Sequence, residues 1–350
     1  MSKAHILAKA DTLEIVENIK LADETFDNNV LKGMIFHTDT FNNCVFNNTQ
    51  FADNVLSDCL LNNVKFYNCD LSQTSFSNCR FNDVIFEKCK VNEVTFADAS
   101  MTDVKFDQSS VQETVFSGGT AVRLEIKNQT LSQTTFTDIE LDNADFSQSD
   151  LSGATFYKQD LRKVAFADAV LNETMFSCCD LSGQNFAGLN MQGAQFNGAT
   201  LEECNFSYCS MIRCNFCEAV IKRTQFYFAD ASNCLFVNAD IMDTDMRGAR
   251  LSQSLWSEAN LQQVDFQQAT IDYSFFGKAT LANCNMSECN LQFSDFSYAN
   301  LTGTNMRDVE LEQTKFHRAL TDDLSLKSRA GAIEKDTALF EAELWSAKAL

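Results

Sequence analysis

The side chains best suited to chemistry in this chain are its 14 cysteines and three histidines. Thiols and imidazoles bind metal ions or act in nucleophilic catalysis when several of them converge. The histidines do not converge, because His5 lies near the first residues while His37 and His317 lie at opposite ends of a long repeated region. Disulfide frameworks belong mainly to short secreted chains, which a chain of 350 residues does not resemble. We therefore expect neither a catalytic triad nor a metal centre.

The chain also carries 48 acidic side chains, and several aspartates stand directly before an apolar residue. A short polar side chain in such a position bonds the backbone of a turn, so a structural role is expected for these aspartates. The glycines of "GQNFAG" and "SGGTAV" lack the spacing of a phosphate-binding loop. The sequence thus predicts no enzyme and no cofactor. The aspartates concerned are Asp70, Asp150, Asp160, Asp180, Asp230 and Asp240.

The element that positions these side chains has a period of five residues. From Leu21 to Phe316 every fifth residue, here called the central residue, is Leu, Ile, Val, Met, Phe or Trp, except Ala121 and Ala231. In an α-helix, residues five apart differ by about 140° and scatter around the axis, and in a flat strand they alternate between faces. The period instead fits a chain that turns a corner every five residues and stacks its coils through backbone hydrogen bonds.

A second regular position lies two residues before each central residue and usually holds Ala, Cys, Ser, Thr or Val. All of the cysteines except Cys178 and Cys217 fall at this position. Small side chains suit an inward site that is crowded by its neighbours, so these cysteines are expected to act as small buried hydrophobes. Cys178 and Cys217 are the thiols that we expect an alkylating reagent to modify first.

The stretches "SDLSG", "CDLSG", "ANLTG" and "ANLQQ" follow the pattern A(D/N)Lxx, which resembles that of the pentapeptide repeat family. The resemblance implies an all-β fold, a right-handed quadrilateral parallel β-helix of about 15 coils of 20 residues each, here followed by a short C-terminal α-helix. Its central residues would fill the interior with stacked rings and aliphatic columns. The expected core includes Leu151, Phe156, Leu161, Phe166, Phe176, Phe196, Phe216 and Trp256.

The ends of such a β-helix need covers, because each coil buries its edges on the next. We expect residues 1–18 to form an N-terminal cap, residues 19–318 the β-helix, and residues 319–350 a tail with an amphipathic helix. That helix would cover the last coil or pair two chains as a homodimer, and both roles stay open. An irregularity at Gly118–Ala121 is expected to loosen or bend one coil. The apolar residues of the helix are Leu339, Phe340, Leu344 and Trp345.

The net charge of −21 makes nucleic acids and anionic membranes poor partners, and it makes basic or DNA-binding proteins better ones. The N-terminal residues lack the continuous apolar core of a signal peptide, and nowhere do 18 apolar residues run together. We expect a soluble, cytoplasmic protein that does not insert into membranes. Delivery by a secretion system stays open.

The best known role that the resemblance implies is imitation of duplex DNA by an acidic rod, which binds a type II topoisomerase (gyrase) and protects or inhibits it. A rod of about 15 coils would be roughly 70 Å long, and duplex DNA of that length carries about 40 negative charges. This chain has a net charge of only −21, and basic residues such as Arg162 and Lys163 interrupt its acidic columns. The DNA mimic therefore ranks second.

The function ranked first is a non-catalytic rigid scaffold or adaptor that binds proteins, with service to a secretion system or an effector as one example. Aromatic side chains at outward positions of the C-terminal half would anchor the partner. The same rings could equally brace the turns as external ladders, so both interpretations stay open. These aromatic residues are Tyr208, Tyr227, Phe228, Tyr273, Phe293 and Tyr298.

Overall fold

A residue in the left-handed backbone region forms a corner at nearly every fifth position of the repeat. Asn18, Asp23 and Asn28 have φ values of 55°, 58° and 53°, and the series continues to Arg318 at 54°. Most of these corners are Asn, Asp, Gly, Gln or Glu, and Gly, Asn and Asp tolerate the left-handed region best. Each corner lies two residues after a central residue, so it ends one side of the coil. The five-residue period of the sequence is therefore a period of corners.

The computed structural model describes residues 3–12, 14–322 and 324–348. Residues 1, 2 and 13 of the predicted N-terminal cap lie outside the described residues, as do residues 323, 349 and 350 of the predicted tail. The chain divides into two compact units, Met1–Cys179 and Asp180–Leu350. Each unit is described by itself.

The first unit consists of one helix and short parallel strands. Its elements are α1 (Lys3–Thr12), β1 (Val16–Glu17), β2 (Lys20–Ala22), β3 (Thr25–Asp27), β4 (Ile35–His37), β5 (Thr40–Asn42), β6 (Val45–Asn47), β7 (Val55–Ser57), β8 (Leu60–Tyr67), β9 (Ser75–Ser77), β10 (Arg80–Glu87), β11 (Thr95–Ala97), β12 (Ser100–Asp107), β13 (Val115–Ser117), β14 (Thr120–Val122), β15 (Glu125–Ile126), β16 (Thr135–Thr137), β17 (Glu140–Asp142) and β18 (Thr155–Tyr157). One sheet has the order β1-β4-β7-β9-β11-β13-β16-β18, and the main path of a second is β17-β14-β12-β10-β8-β5-β2. Every strand pairs with the equivalent strand of a neighbouring coil, as Phe76 does with Phe96.

The second unit continues the same construction with fewer regular strands. Its elements are β19 (Val220–Lys222), β20 (Asp240–Met242), β21 (Asn260–Gln262), β22 (Thr280–Ala282), β23 (Asn305–Met306), β24 (Ser325–Leu326) and α2 (Thr337–Lys348). Strands β19 to β22 form one parallel sheet in sequence order, and β23 pairs with β24. Single parallel bridges, such as Asn185 with Asn205 and Leu235 with Leu255, join the remaining sides of the coils.

Four five-residue sides make one coil, because side chains stacked on each other are 20 residues apart, as Asn43 and Asp23 are. The predicted fold class is confirmed: the chain is an all-β, four-sided parallel β-helix with a short C-terminal α-helix. None of the helices among the described residues is long and apolar enough to span a bilayer.

Helix α1 adds an element that the five-residue pattern does not contain. Its sequence is rich in good helix formers, and its Ile6 is fully buried. The Lys3 ammonium lies 5.4 Å from the centre of the Phe26 ring, and the Lys3 backbone N–H donates to the Glu24 carboxylate at 3.3 Å. The helix therefore packs on the first coils.

The interior is filled by columns of phenylalanine rings. Phe116 stacks on Phe96 and Phe136 at 4.9 Å on both sides, with interplanar angles of 11° and 4°. A second column meets this one edge-to-face, as Phe146 does against Phe136 at 5.1 Å and 65°. Both arrangements are favourable for aromatic pairs. The eight side chains expected in the core are all buried: Leu151, Phe156, Leu161, Phe166, Phe176, Phe196, Phe216 and Trp256.

The irregularity at Gly118–Ala121 keeps the register of the ladder. Met101 pairs with Ala121, as the 20-residue spacing requires. Gly118 and Gly119 both have positive φ, and a Cβ on Gly119 would lie 2.0 Å from the carbonyl oxygen of Ala99. Only glycine therefore fits at residue 119, because the backbone of the coil below approaches too closely for any side chain.

Replacing Phe116 by Ala should lower the free energy of unfolding by about 3–5 kcal/mol, because the change removes a fully buried ring between two stacked neighbours. Urea denaturation followed by circular dichroism measures this loss. The matched control is Ser117→Ala, one residue away on the outer side of the same strand, which should change stability by less than about 1 kcal/mol. Equal effects of the two substitutions would contradict the inward placement of Phe116.

Candidate protein interface

The reactive side chains of the described residues form no metal-binding cluster. Within the part of the chain that the structure describes, no group of three or more His, Cys, Asp and Glu side chains could hold a metal ion. His37 lies with Nδ1 2.8 Å from the Ser57 hydroxyl on an outer face. His317 is buried beside α2, far along the sequence from the other two histidines.

The inward cysteines do more than fill small sites, because their thiols donate to backbone carbonyls of the neighbouring coil. Cys204 Sγ lies 3.1 Å from the carbonyl oxygen of Leu181, and Thr114 in the equivalent position donates to the carbonyl of Val91 at 2.7 Å. The interpretation as simple hydrophobes was therefore incomplete. The inward small position selects short side chains, and where the side chain is Cys, Ser or Thr it also donates to the neighbouring coil. Burial raises the pKa of the thiols of Cys204, Cys284 and Cys289 to about 12.

One pair of cysteines, Cys214 and Cys217, has the CxxC spacing of redox and metal-binding motifs. The structure separates their roles. Cys214 is fully buried, with Sγ 3.0 Å from the carbonyl oxygen of Met191, whereas Cys217 is half-buried at an outward position. Both are free thiols. Cys214 holds the inward small position and Cys217 the outward position just after the next central residue, so the two thiols lie on opposite sides of the backbone.

The aspartates that precede central residues bond the turn, as their position predicts. The Asp150 carboxylate accepts from the backbone N–H and the hydroxyl of Ser152 at 3.0 and 2.6 Å. The Arg162 guanidinium bonds Asp160 through two nitrogens at 2.8 and 2.6 Å, and this contact lowers the pKa of the Asp160 carboxyl. These carboxylates are therefore occupied with local structure.

Five corners carry an aromatic side chain, and within the described residues all five belong to the second unit. Their backbones are left-handed like those of the other corners, with φ between 51° and 64°. A bulky side chain in this region is an outlier, because its Cβ crowds the neighbouring backbone. The five residues are Tyr208, Phe228, Tyr273, Phe293 and Tyr298.

Tyr208, Tyr227 and Phe228, here called the corner cluster, form one contiguous aromatic surface. Tyr208 and Phe228 stack at 6.0 Å and 8°, and Tyr227 meets both edge-on at 5.7 and 4.5 Å. The Arg247 guanidinium lies 5.5 Å from the centre of the Tyr227 ring. A Cβ on Gly248 would lie 2.6 Å from the Phe228 ring, so the missing side chain there makes room for the ring. Even so, Tyr208 is 63% exposed and Phe228 50% exposed.

A second ladder consists of Tyr273 and Phe293, which stack at 4.7 Å and 6° on another corner column. Both rings are exposed. The stacking supports the view that these rings brace neighbouring turns, and the exposure leaves their outer edges available to a partner. The two interpretations are compatible at this ladder.

The sixth candidate, Tyr298, is engaged by the chain itself. Its hydroxyl donates to the Glu343 carboxylate of α2, which also accepts from Arg318 Nε at 2.7 Å and lies 3.3 Å from His317 Nε2. The hydrogen bonds from Arg318 and Tyr298 lower the pKa of Glu343 to about 2. The Tyr298 ring nevertheless remains 38% exposed, and the sequence does not indicate that α2 packs beside it.

Helix α2 packs against the outside of the last coils. Ile333 continues the ladder by pairing with Lys315, and the Asp336 carboxylate, which caps the first turn of α2, holds Lys315 Nζ at 2.7 Å. Leu339 is half-buried in a groove that Phe275 also lines. The other apolar residues of the helix point differently: Phe340 is half-buried with Lys335 Nζ 3.4 Å from its ring centre, while Leu344 is 46% and Trp345 75% exposed.

An apolar row on the outer wall of the second unit was missed by sequence reasoning. Leu235 pairs with Leu255 and Leu255 with Phe275 in one ladder. Leu235 and Phe275 are exposed and Leu255 is half-buried. All three stand directly before a central residue, where Asp and Asn are common. Comparing that position at a spacing of 20 residues would have detected the row.

The charged side chains of the outer surface pair with each other. In the first unit, Lys105 lies 3.1 Å from Glu125 and Lys163 lies 2.9 Å from Asp142. In the second unit, Arg247 lies 2.7 Å from Asp245 and Lys278 lies 3.3 Å from Glu258. Exposed pairs contribute only about 0–1 kcal/mol each to stability. They do interrupt the acidic columns with positive charge.

Comparison with protein families gives three matches. A model described as "Pentapeptide repeat region" matches residues 59–136 and 139–211. A model described as "Pentapeptide repeats (8 copies)" matches residues 201–238, 239–283 and 284–320. A third, described as "SV2A/B/C luminal domain", matches residues 12–86. No curated protein matches the sequence at a significant level.

Solved structures with similar folds include further proteins of the same repeat type. HetL from the cyanobacterium Nostoc sp. strain PCC 7120, described as involved in heterocyst differentiation regulation, is 24% identical, with 65% of this chain and 90% of that chain covered and a TM-score of 0.34. Full-length QnrB1, a plasmid-mediated fluoroquinolone resistance protein, is 15% identical, with 59% and 92% covered and a TM-score of 0.27. A protein from the Arabidopsis thaliana thylakoid lumen is 24% identical, with 37% and 69% covered and a TM-score of 0.13.

The thiols should react in the order of their exposure. N-Ethylmaleimide should modify the exposed Cys178 of the native protein first and the half-buried Cys217 more slowly. Cys204, Cys284 and Cys289 should stay unmodified even at about pH 9, because they are buried and a pKa of about 12 keeps them protonated. Peptide mass spectrometry over time measures the order. Labelling of Cys204 at the rate of Cys178 would contradict the inward placement.

Replacing Glu343 by Gln should loosen α2, because the change removes the carboxylate that Arg318, Tyr298 and His317 share. Amide hydrogen exchange within residues 337–348 should become at least about threefold faster. The matched control is Glu341→Gln, an exposed carboxylate of the same helix.

The Glu343 contact should also depend on pH, because its carboxyl pKa is lowered from 4.5 to about 2 in the folded protein. The ionised carboxylate therefore stabilises the folded state fully above about pH 4.5, and this stabilisation is lost as the pH falls towards about 2. Cleavage of α2 by pepsin should therefore accelerate over this range in the wild type more than in Glu343→Gln. Equal amide exchange in Glu343→Gln and Glu341→Gln, together with equal pepsin cleavage of the wild type and Glu343→Gln, would show that Glu343 does not hold the helix.

Proposed function

This chain belongs to the pentapeptide repeat family, and from that premise we propose that it acts without catalysis, as a rigid scaffold or adaptor whose outer surface binds other proteins. The observation that carries the proposal is the corner cluster. Its three aromatic side chains are contiguous, and the two in the left-handed region, Tyr208 and Phe228, stand exposed on the second unit while Tyr227 is half-buried. An arginine lies against them.

The corner cluster is unfavourable for folding alone. A bulky residue held in the left-handed region costs on the order of 1 kcal/mol or more, and an exposed ring recovers little of this through burial. Mutual stacking of Tyr208 and Phe228 contributes about 0.5–1.5 kcal/mol. Asn and Gly serve the same corner elsewhere without that cost. A binding partner that covers the rings would offset this cost, because burial of the rings stabilises the complex.

The chemistry of the corner cluster is that of protein interfaces. Tyr, Trp and Arg dominate the energetically important residues of such interfaces, because their large flat groups are desolvated together. Tyr208, Tyr227, Phe228 and Arg247 provide this combination on one corner column. Tyr208 and Phe228 cover one face of each other, and both rings keep half or more of their surface exposed for a partner.

The alternative is an acidic imitation of duplex DNA that binds gyrase and protects or inhibits it, which the net charge of −21 favours. Against it, basic side chains lie within the acidic columns of both units, as Lys163 does beside Asp142 and Arg247 beside Asp245. Duplex DNA offers uninterrupted rows of phosphates. Scaffolding through the corner cluster therefore remains the function that we propose.

The double substitution Tyr208→Asn and Phe228→Asn should abolish partner binding while leaving stability unchanged or raised, because Asn suits the left-handed corner better than an aromatic residue. Proteins retained from an extract of the source cells by wild type and variant are compared by mass spectrometry, and stability is measured by urea denaturation. Tyr157→Asn, an exposed ring outside the corner cluster, is the control and should retain the partner.

Unchanged partners in the double variant would contradict the scaffold proposal. Inhibition or protection of gyrase supercoiling by micromolar wild-type protein, weakening steeply with salt, would favour the DNA mimic instead. A variant that loses the partner and also unfolds is distinguished by its urea midpoint.

A further inference from the structure

The outer wall of the second unit offers an apolar row, Leu235, Leu255 and Phe275, that the corner cluster does not include. From its geometry we propose that the row binds an amphipathic α-helix of a partner protein. The inference rests on the proposed protein-binding role and adds a second site with a defined ligand class. The row stays separate from the corner cluster, because its residues lie on a flat side of the coil rather than at a corner.

The row is continuous and lies flat on the wall. Parallel bridges join Leu235 to Leu255 and Leu255 to Phe275, so the three side chains stand on successive coils. The Phe275 ring covers Gly277, where an added Cβ would lie 2.5 Å from the ring. Because Gly277 has no side chain, the ring can lie along the wall instead of standing away from it. The result is an apolar floor along this side of the coils.

Spacing selects a helix as the occupant. Successive coils are about 4.8 Å apart, so the row is roughly 10 Å long. An α-helix advances about 5.4 Å per turn, and its residues i, i+3 or i+4, and i+7 span about 10.5 Å on one face. A helix running along the row therefore sets one apolar side chain against each of the three coils. A strand could not join by backbone pairing, because the bridges already connect the wall on both sides of Leu255.

The chain already seats one helix on the same wall. Helix α2 packs beside Phe275 and Tyr298, with Leu339 and Ala342 facing a groove of about 500 Å³ that these side chains share. The row continues from this seat through Phe275 to Leu255 and Leu235. The groove leaves Phe275 41% exposed, so α2 does not complete the packing. The intramolecular contact thus shows the kind of element that the wall accepts, and it leaves the adjoining coils uncovered.

The edges of the row indicate the charge of the partner. On one side lie Asn238 and the ion pair between Glu258 and Lys278, which are 3.3 Å apart. On the other side lie Asn233 and Gln253, which are uncharged. The opposite charges of Glu258 and Lys278 cancel, so this ion pair adds no net charge beside the row. We therefore expect an uncharged apolar stripe of Leu, Met or Phe on the partner helix, and binding that salt weakens little.

The test uses the full-length chain and a fluorescein-labelled model helix of net charge zero, with leucines at i, i+3, i+4 and i+7 and balanced Glu and Lys elsewhere. Fluorescence anisotropy should show saturable binding to the wild type at micromolar concentrations. The double substitution Leu235→Ser and Leu255→Ser should weaken binding at least tenfold, and Leu235→Ser alone should weaken it in part. Raising the salt concentration should change it less than twofold.

Three controls make the result decisive. Val55→Ser, an exposed outward residue of the first unit, should leave binding unchanged, and a model peptide with serines in place of the leucines should not bind. Tyr208→Asn with Phe228→Asn should keep peptide binding, so a failure of the row is distinguishable from a failure of the corner cluster. Circular dichroism should show that every variant is folded.

The proposal is overturned if the wild type shows no saturable binding, or if the row variant binds as tightly as the wild type. It is also overturned if sedimentation shows a wild-type dimer that the row variant abolishes, because the row would then belong to a second copy of the chain. Binding of the wild type to phosphatidylcholine vesicles that is lost in the row variant would overturn it as well, by assigning the row to lipid.

Discussion

The left-handed corner is the constraint on which the rest of this structure depends. A corner every five residues limits each side of the coil to one central residue that points inward and one small inward neighbour. The small neighbour fits because its side chain is short, and a thiol or hydroxyl there also donates to a carbonyl of the adjacent coil, as Cys204 does to Leu181. The outward positions are then free to vary. Fold and surface are consequently specified by different residues of the same five-residue unit.

Much of the fold could be predicted, because a corner every five residues produces the five-residue period of apolar residues in the sequence. Phe156 and Trp256 are central residues of the five-residue period, which predicts that they point inward, and both are buried. Helix α1 could not be found in this way, since it lies outside the repeat and its burial rests on Ile6 alone. The exposure of Tyr208 and Phe228 likewise follows from the frame. Their left-handed backbone does not, because nothing in an aromatic residue signals that conformation.

The surface was harder to predict where it depends on contacts between distant segments. Tyr298 occupies the same kind of position as Tyr208, yet its hydroxyl is bonded to Glu343 of α2 while its ring stays 38% exposed. Which wall a short helix selects is decided by a few polar contacts, such as those of Lys315 and Arg318, that no local pattern announces. The CxxC spacing of Cys214 and Cys217 illustrates the opposite case, in which a suggestive pattern loses its meaning once the backbone turns.

The corner frame also decides how insertions would change the molecule. Five added residues would keep every central side chain inward but would move all later sides to the next face, so an insertion between Tyr208 and Phe228 would separate their rings. Twenty added residues would restore the faces and lengthen each column by one coil. Duplication of the coil that holds Leu255 would extend the apolar row without disturbing the core. The reach of this surface can therefore evolve in steps of one coil, while its chemistry evolves residue by residue.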